Sequence, residues 1–535
     1  MAPNRILKHF NRTLAVAFTV VAISTFNYGF DNAGYSTTQA MDAFQKQFGD
    51  QDPATGKWKI PPTWLSLFNS LNYIGFAAGV IIGSLVSARW GRRWCMFGMS
   101  AWAVIPATIA LTSSTREQIM AARILNFYQS EIVPSEIRGF AVGSYQFSLM
   151  FGTLIVNSVC RGTSTLDGNA SWRIPMGLFY VIPVIVMCLI FFIPEVIPRS
   201  STVGCTKTNL LEKSPRWLLT QDRVEEAHAS LKKLRVGTIT DAEIDEQFAA
   251  LQYALKQEVE QGKYWELFKG VNLKRTAVVM VMNFFQQATG QAFASTYGAI
   301  VIKDIGTVNP FTMTIVNAIV NLVMVFIGLY LTDRVGRRYV LSLSSKSWWT
   351  NVDEHDYSPL LLIGAVLQFA AIVTMGSLGT VSHPSFAIKT GIVAMLTVFA
   401  ASYVLAWAPL NYVVSTEIPA LRLRDASQRT ASMVNVLANF LVNFSIPHLL
   451  YTPGAGLGSK VGFIFAGILV LAFVFTWFCI PECKGKSLEQ IDRMFNEGVP
   501  LRKFGKYKPE DMYQASTEDG EKAGVIVTAR HEEKA

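Results

Sequence analysis

Two full charges stand inside apolar runs of this chain, Asp31 in the stretch NYGFDNAGY and Arg123 in AARILN. A charge at membrane depth is costly unless it is partnered, so a carboxylate and a guanidinium in such runs are read first as a functional pair. The competing reading sets Asp31 just outside the hydrocarbon core, as a polar group at a helix end.

A second set of charges closes apolar runs abruptly. Arg89, Arg92 and Arg93 do so in ARWGRR, and Asp333, Arg334, Arg337 and Arg338 do so in DRVGRR, with Arg89 and Arg334 lying 245 positions apart, close to half the chain. Glu131 and Arg138 are seven apart, as are Glu417 and Arg424, and Pro194-Glu195 is echoed by Pro481-Glu482. Three matched features in the same order point to a duplication, with two parallel halves and a binding site between them near the midplane. The arginines would hold short loops in the cytoplasm. The acids beside them can lock span ends together through charge-assisted hydrogen bonds, so the set reads either as a cytosolic gate or as topology signals and turns alone.

The elements that must position these residues follow from composition. The chain has 535 residues, 51% hydrophobic and only 16% charged, which excludes an ordinary soluble protein of this length. Twelve runs long enough to cross a bilayer are expected at 13–34, 64–87, 95–112, 117–133, 139–160, 173–193, 275–299, 310–332, 359–379, 386–412, 428–450 and 461–481. The expected organisation is therefore a cytosolic N-terminus (1–12), a six-helix bundle (13–195), a cytosolic linker of short amphipathic helices (196–274), a second six-helix bundle (275–481) and a largely disordered cytosolic tail (482–535). The sequon Asn169-Ala170-Ser171 falls in a loop that this topology places outside.

The net charge of +9 is spread over short loops and span ends instead of one aromatic-studded face, so no nucleic-acid partner is expected. Six cysteines include no CxxC, and six histidines gather with no metal or nucleophile constellation, so no disulfide framework, metal, cofactor or enzyme activity is expected. GKS at 485–487 lacks the upstream glycine of a phosphate loop, which disfavours an ATP-driven pump.

At these residues the chain resembles the sugar porter family of the major facilitator superfamily, over roughly residues 12 to 495. DRVGRR is similar to the family's loop signature, PECKGKSLEQ at 481–490 to its PETKGxSLEE, and SPRWLL at 214–219 to the continuation of its PESPRW. The resemblance implies an all-α integral membrane protein of the major facilitator fold, importing a sugar with protons by alternating access and with no chemical step. It implies proton coupling by Asp31 and Arg123, with protonation of the aspartate releasing the arginine. It implies sugar contacts from Gln146, Gln286, Gln287, Tyr297, Asn321, Asn439 and Asn443. Amides would serve the hydroxyls and an aromatic ring would cover the C–H face. Tyr412 stands where the family has tryptophan, and Ala292 where it has asparagine, so the particular sugar is left open. The implied setting is a lipid bilayer, the plasma membrane, with both termini cytosolic and the protein a monomer.

Other readings of the same chain are a passive facilitator, a sugar receptor on the transporter fold and an inactive chain. The last arises because Arg123 and Glu131 are only eight apart. The family spacing is about twenty, so about twelve residues and roughly 18 Å of the fourth span are absent. The blocks 196–213 and 339–358 are insertions relative to the family, and translated introns with one skipped segment in the gene model are expected to explain all three departures.

Overall fold

The computed structural model describes residues 12–51, 56–90, 92–126, 140–190, 264–334, 359–481, 483 and 488–504, with isolated positions 224, 228 and 248. Helices stand at all twelve expected spans. In the first half they are α1 (Arg12–Thr38), α2 (Asp42–Phe48), α3 (Pro62–Ser70), α4 (Asn72–Trp90), α5 (Arg92–Thr112), α6 (Arg116–Leu125), α7 (Phe140–Thr163), α8 (Ala170–Gly177) and α9 (Val181–Leu189). The second half holds α10 (Gly270–Ala288), α11 (Gln291–Ser295), α12 (Gly298–Ile305), α13 (Pro310–Arg334), α14 (Pro359–Leu378), α15 (Phe386–Glu417), α16 (Arg424–Leu450) and α17 (Val461–Cys479), followed by the amphipathic α18 (Leu488–Asn496). Among the described residues, eight helical stretches are long and apolar enough to cross a membrane. The only departure from an all-helical pattern among these residues is a two-residue ladder, β1 (Asp50–Gln51) against β2 (Trp58–Lys59).

The fourth span is where sequence and structure press hardest on each other. Its helix starts early, at Arg116, because Thr115 caps it: the Thr115 hydroxyl accepts from the Gln118 amide while the Gln118 side chain reaches back to the cap. Even so α6 has ten residues, about 15 Å of helix and half a bilayer crossing. Its end would leave carbonyls bare, and Trp102 on α5 donates its indole N–H to the Leu125 carbonyl at 2.8 Å.

The seventh span, expected as one run, is broken. Thr289 ends α10 and Gly290 takes φ +90°, a conformation only glycine enters without strain. A Cβ there would also stand 2.5 Å from the Phe465 ring on α17. Pro409 lies within α15 and removes one rung of that helix, close to Asn411 and Tyr412.

Packing follows the glycines. A Cβ on Gly29 would meet the Leu149 carbonyl at 2.0 Å and one on Gly152 would meet the Phe26 carbonyl at 2.3 Å, so α1 and α7 touch backbone to backbone. The two halves meet through α3 and α4 against α16, and through α7 against α13 and α15. At one end of the molecule Phe44 and Phe48 on α2 stack edge-on to Trp172 on α8.

At the opposite end, Arg275 on α10 is 2% exposed and holds α18 through the Asp492 side chain, the Asp492 carbonyl at 2.9 Å and Asn496 at 3.2 Å. Its guanidinium also lies over the Phe495 ring at 4.5 Å. The two inserted blocks, the gap that follows α6 and nearly all of the expected linker lie outside the described residues.

Candidate functional site

Asp31 projects from α1 and is buried, as is Arg123 in the last turn of α6. The expected direct ion pair is not formed: none joins these two residues among the contacts described. Instead Asn126 donates to the Asp31 carboxylate at 2.5 Å. Arg123 gives its Nε–H to the Phe68 carbonyl at 3.0 Å and lays its guanidinium over the Tyr35 ring at 4.1 Å. The cause is local. Asn126 follows Arg123 by three positions at the helix end and shares its face, so the shorter amide meets the carboxylate while the longer arm passes to Tyr35. Arg123 still acts on Asp31 electrostatically, and its Nη1 is buried without a partner among the described residues.

Gln286 and Gln287 occupy the last turn of α10, immediately before the break at Gly290. The Gln286 carbonyl accepts from Asn411 and from Asn435, each at 2.8 Å. Gln287 donates to the Asn435 carbonyl at 3.2 Å. Asn439 and Asn443, one turn apart on α16, bond to each other at 2.8 Å, and Asn443 also donates to the Tyr73 hydroxyl of the other half at 3.4 Å. Tyr297 is fully buried between α11 and α12 and donates to the Asn443 carbonyl at 2.7 Å. Tyr28, Tyr73 and Tyr412 all lie within electrostatic reach of Tyr403, so tyrosines of both halves converge there. Tyr412 is 42% exposed, the most open of the sequence-derived candidates. Gln146 is buried on α7, and Asn321 on α13 carries a buried Oδ1 with no partner among the described residues. These two are not joined to the amide cluster by the hydrogen bonds described.

Sequence reasoning missed Asn126, Asn283, Asn411, Asn435 and the tyrosines at 28, 73 and 403. A signal existed for some of them. Asn435, Asn439 and Asn443 recur every fourth residue, and Asn283, Gln286 and Gln287 share one face of α10.

Of the gate candidates, Arg89, Arg92, Arg93, Asp333 and Arg334 fall at the ends of α4, α5 and α13, but their side chains lie outside what is described. Glu131, Arg138, Arg337 and Arg338 lie wholly outside the described residues. Glu417 is the last residue of α15 and Arg424 the first of α16, flanking one short turn. At the opposite end the halves are clasped. The Lys303 ammonium on α12 donates to the Ala40 carbonyl at 2.8 Å and to Asp42 and Gln45 at 2.6 Å each. Ser66 donates to the Phe444 carbonyl at 2.9 Å in the α3–α16 seam.

The family model for "Sugar (and other) transporter" matches residues 16–495. The chain is 27% identical to a low-affinity glucose transporter of Kluyveromyces lactis, over 93% of this chain and 85% of that protein. It is also 27% identical to the major facilitator-type transporter ecdD of Aspergillus rugulosus, over 93% of this chain and 90% of that one. Among solved structures, the proton:xylose symporter XylE bound to 6-bromo-6-deoxy-D-glucose superposes with a TM-score of 0.66 at 19% identity, covering 90% of this chain and 99% of XylE. An inward-open form of XylE from E. coli matches with a TM-score of 0.64 at the same 19% identity, over 89% and 99%. The fold is that of the major facilitators, and the chain belongs to the sugar (and other) transporter family.

Proposed function

We propose that this protein imports a hexose-like sugar together with a proton, by exposing one central site alternately to the two sides of the membrane. The observation that carries the reading is the amide pair Gln286–Gln287. It ends a broken helix, bonds to Asn411 and Asn435, and stands in the second half, where tyrosines of both halves meet. Amides there can serve sugar hydroxyls, and the tyrosine rings can cover the C–H face. The names of the relatives, a glucose transporter and a xylose symporter, agree with that chemistry.

The proton site in this reading is Asp31, with Arg123 as the charge that its ionised form balances. Gln146, Tyr297, Asn321, Tyr412, Asn439 and Asn443 complete the sugar site, and the arginine–acid set at the span ends is the cytosolic gate. Residues 13–195 and 275–481 form the two bundles, joined by a cytosolic linker. The protein acts as a monomer in the plasma membrane with both termini inside, and needs no cofactor. Under that topology the Lys303 clasp is the outer gate in its closed state.

Uptake of radiolabelled glucose and xylose in a host lacking its own hexose carriers tests the proposal. Accumulation above the external concentration that collapses with a protonophore is expected, and its absence for every sugar overturns the reading. Passive facilitation is the second reading, favoured by the lack of a direct Asp31–Arg123 ion pair. It predicts uptake to equilibrium only, insensitive to the protonophore.

A further inference from the structure

The donor and acceptor faces of an amide are set by its surroundings, and at the Gln286–Gln287 pair those surroundings form a chain that begins at a backbone atom. The Val279 carbonyl accepts from Asn283 at 2.9 Å, and a carbonyl can only accept. That fixes the Asn283 NH2, which also donates to the Ser415 hydroxyl at 2.9 Å. The Asn283 carbonyl must then face the other way, where Asn411 donates to it at 3.0 Å. The same Asn411 NH2 spends its second hydrogen on the Gln286 carbonyl at 2.8 Å. Asn435 adds a second donor to that carbonyl at 2.8 Å and turns its own oxygen to Gln287.

Flipping Asn411 would set its oxygen against two other carbonyl oxygens. The structure instead leaves the Asn411 Oδ1 buried without a partner, although that residue is 1% exposed. An orphaned buried acceptor is unfavourable, and it is kept because the alternative is worse.

We infer that Asn411 is a positioning residue that, with Asn283 and Asn435, locks the Gln286–Gln287 pair in one polarity: Gln286 presents N–H and Gln287 presents C=O to the bound sugar. This deepens the sugar reading and rests on it. The Gln286 carbonyl is saturated by two donors, so only its NH2, which adjoins the Tyr403 hydroxyl, is left for a ligand. One Gln287 N–H is held by Asn435, which fixes how that amide faces and leaves its carbonyl with no partner among the described residues. The hydroxyl read by Gln286 therefore acts as an acceptor, and the one read by Gln287 acts as a donor. Fluorine can accept weakly but cannot donate. Fluorine in place of the first hydroxyl is tolerated better than hydrogen there, whereas at the second both fail alike.

The test uses the full chain and a set of glucose analogues in which each hydroxyl in turn is replaced by hydrogen or fluorine. Wild type is expected to show one position where fluorine outperforms hydrogen. Asn411→Asp removes the donor and offers carboxylate oxygens, so Gln286 turns round and that preference is lost by about tenfold while the parent sugar is still carried. A general loosening of the site would instead weaken all analogues together. An unchanged fluorine-to-hydrogen ratio, or a uniform loss, overturns the inference.

A second measurement needs no sugar. In purified protein, the loss of thermal stability from Asn411→Asp is expected to shrink when Gln286→Met has removed the opposing carbonyl, including rescue of a variant that otherwise fails to fold. Additive effects overturn the lock. If wild type carries none of the analogues and no glucose, the sugar reading fails, and this cycle still decides whether the lock exists.

Discussion

The Asp31 carboxylate accepts from the Asn126 amide at 2.5 Å, and this contact ties the end of α6 to α1. A hydrogen bond to a buried carboxylate is worth about 1.5–3 kcal/mol. Asp31→Asn keeps the shape and removes the titrating group. Counterflow of labelled sugar between two equal pools is expected to survive, while uphill accumulation disappears. Accumulation that persists in this variant would sink the proton-coupling proposal.

Asn126→Ala leaves Asp31 chargeable but cuts the tie. The expected result is a loss of stability of about 1.5–3 kcal/mol, read by unfolding in detergent, with coupling retained at lower rate. An effect as complete as that of Asp31→Asn would show that Asn126 does more than hold.

Gln287→Ala and Gln286→Ala each leave one sugar hydroxyl unmatched, a penalty of about 1–3 kcal/mol. KM is expected to rise about 5- to 150-fold in either variant, against little change in surface expression. Equal KM values for wild type and both variants would remove the amide pair from the site.

The seam between α10 and α18 predicts an asymmetry. Arg275 is 2% exposed, whereas the Asp492 side chain keeps 31% of its surface in contact with solvent. Leaving a buried charge alone costs about 3–5 kcal/mol, and a charge that can hydrate costs less. Asp492→Ala should therefore lower the unfolding midpoint more than Arg275→Met. Arg275→Lys should not restore the wild-type value, because an ammonium cannot make the forked contact with Asp492 and Asn496.

Lys303→Met removes the three contacts that clasp α12 to α2. Asp42 is almost fully exposed, so its share is small, and most of the effect comes from Ala40 and Gln45. A cysteine placed at Ser66, buried in the α3–α16 seam between the halves, is expected to react with an impermeant maleimide roughly five times faster in this background, equivalent to about 1 kcal/mol. An unchanged rate would mean the clasp is incidental to closure.

Much of the architecture could be read from the chain because a bilayer demands long apolar runs, and twelve of them were visible with their charged ends. The early start of α6 was readable too, from Thr115 and Gln118. The break at Gly290 was harder: QQATGQAF looks continuous by hydropathy, and the ring that packs against the left-handed Gly290, Phe465, comes 175 positions later. The site was readable in part. Gln286 and Gln287 stood out as an adjacent pair and Asn435 falls in a four-residue asparagine repeat, whereas Asn411 is a lone amide in an apolar helix. The role of Asn411 and Asn435 comes from partners on another helix, α10, which no spacing within their own helices encodes. Asp31 and Arg123 were found as charges, but which atom meets the carboxylate was decided by the three-position step from Arg123 to Asn126.

The break at Gly290 divides the seventh span into a post and an arm. The post, α10, is bolted at one end to α18 through Arg275 and carries Gln286 and Gln287 at the other. The arm, α11 and α12, ends in Lys303 at the clasp. Thr289 and Gly290 join them, so in the proposed cycle the arm can swing at its outer end without dragging the two amides. Grip and latch are thereby separate mechanical parts. Substitutions along the arm beyond Tyr297 should alter how fast the site is exposed, and those on the post should alter what it holds.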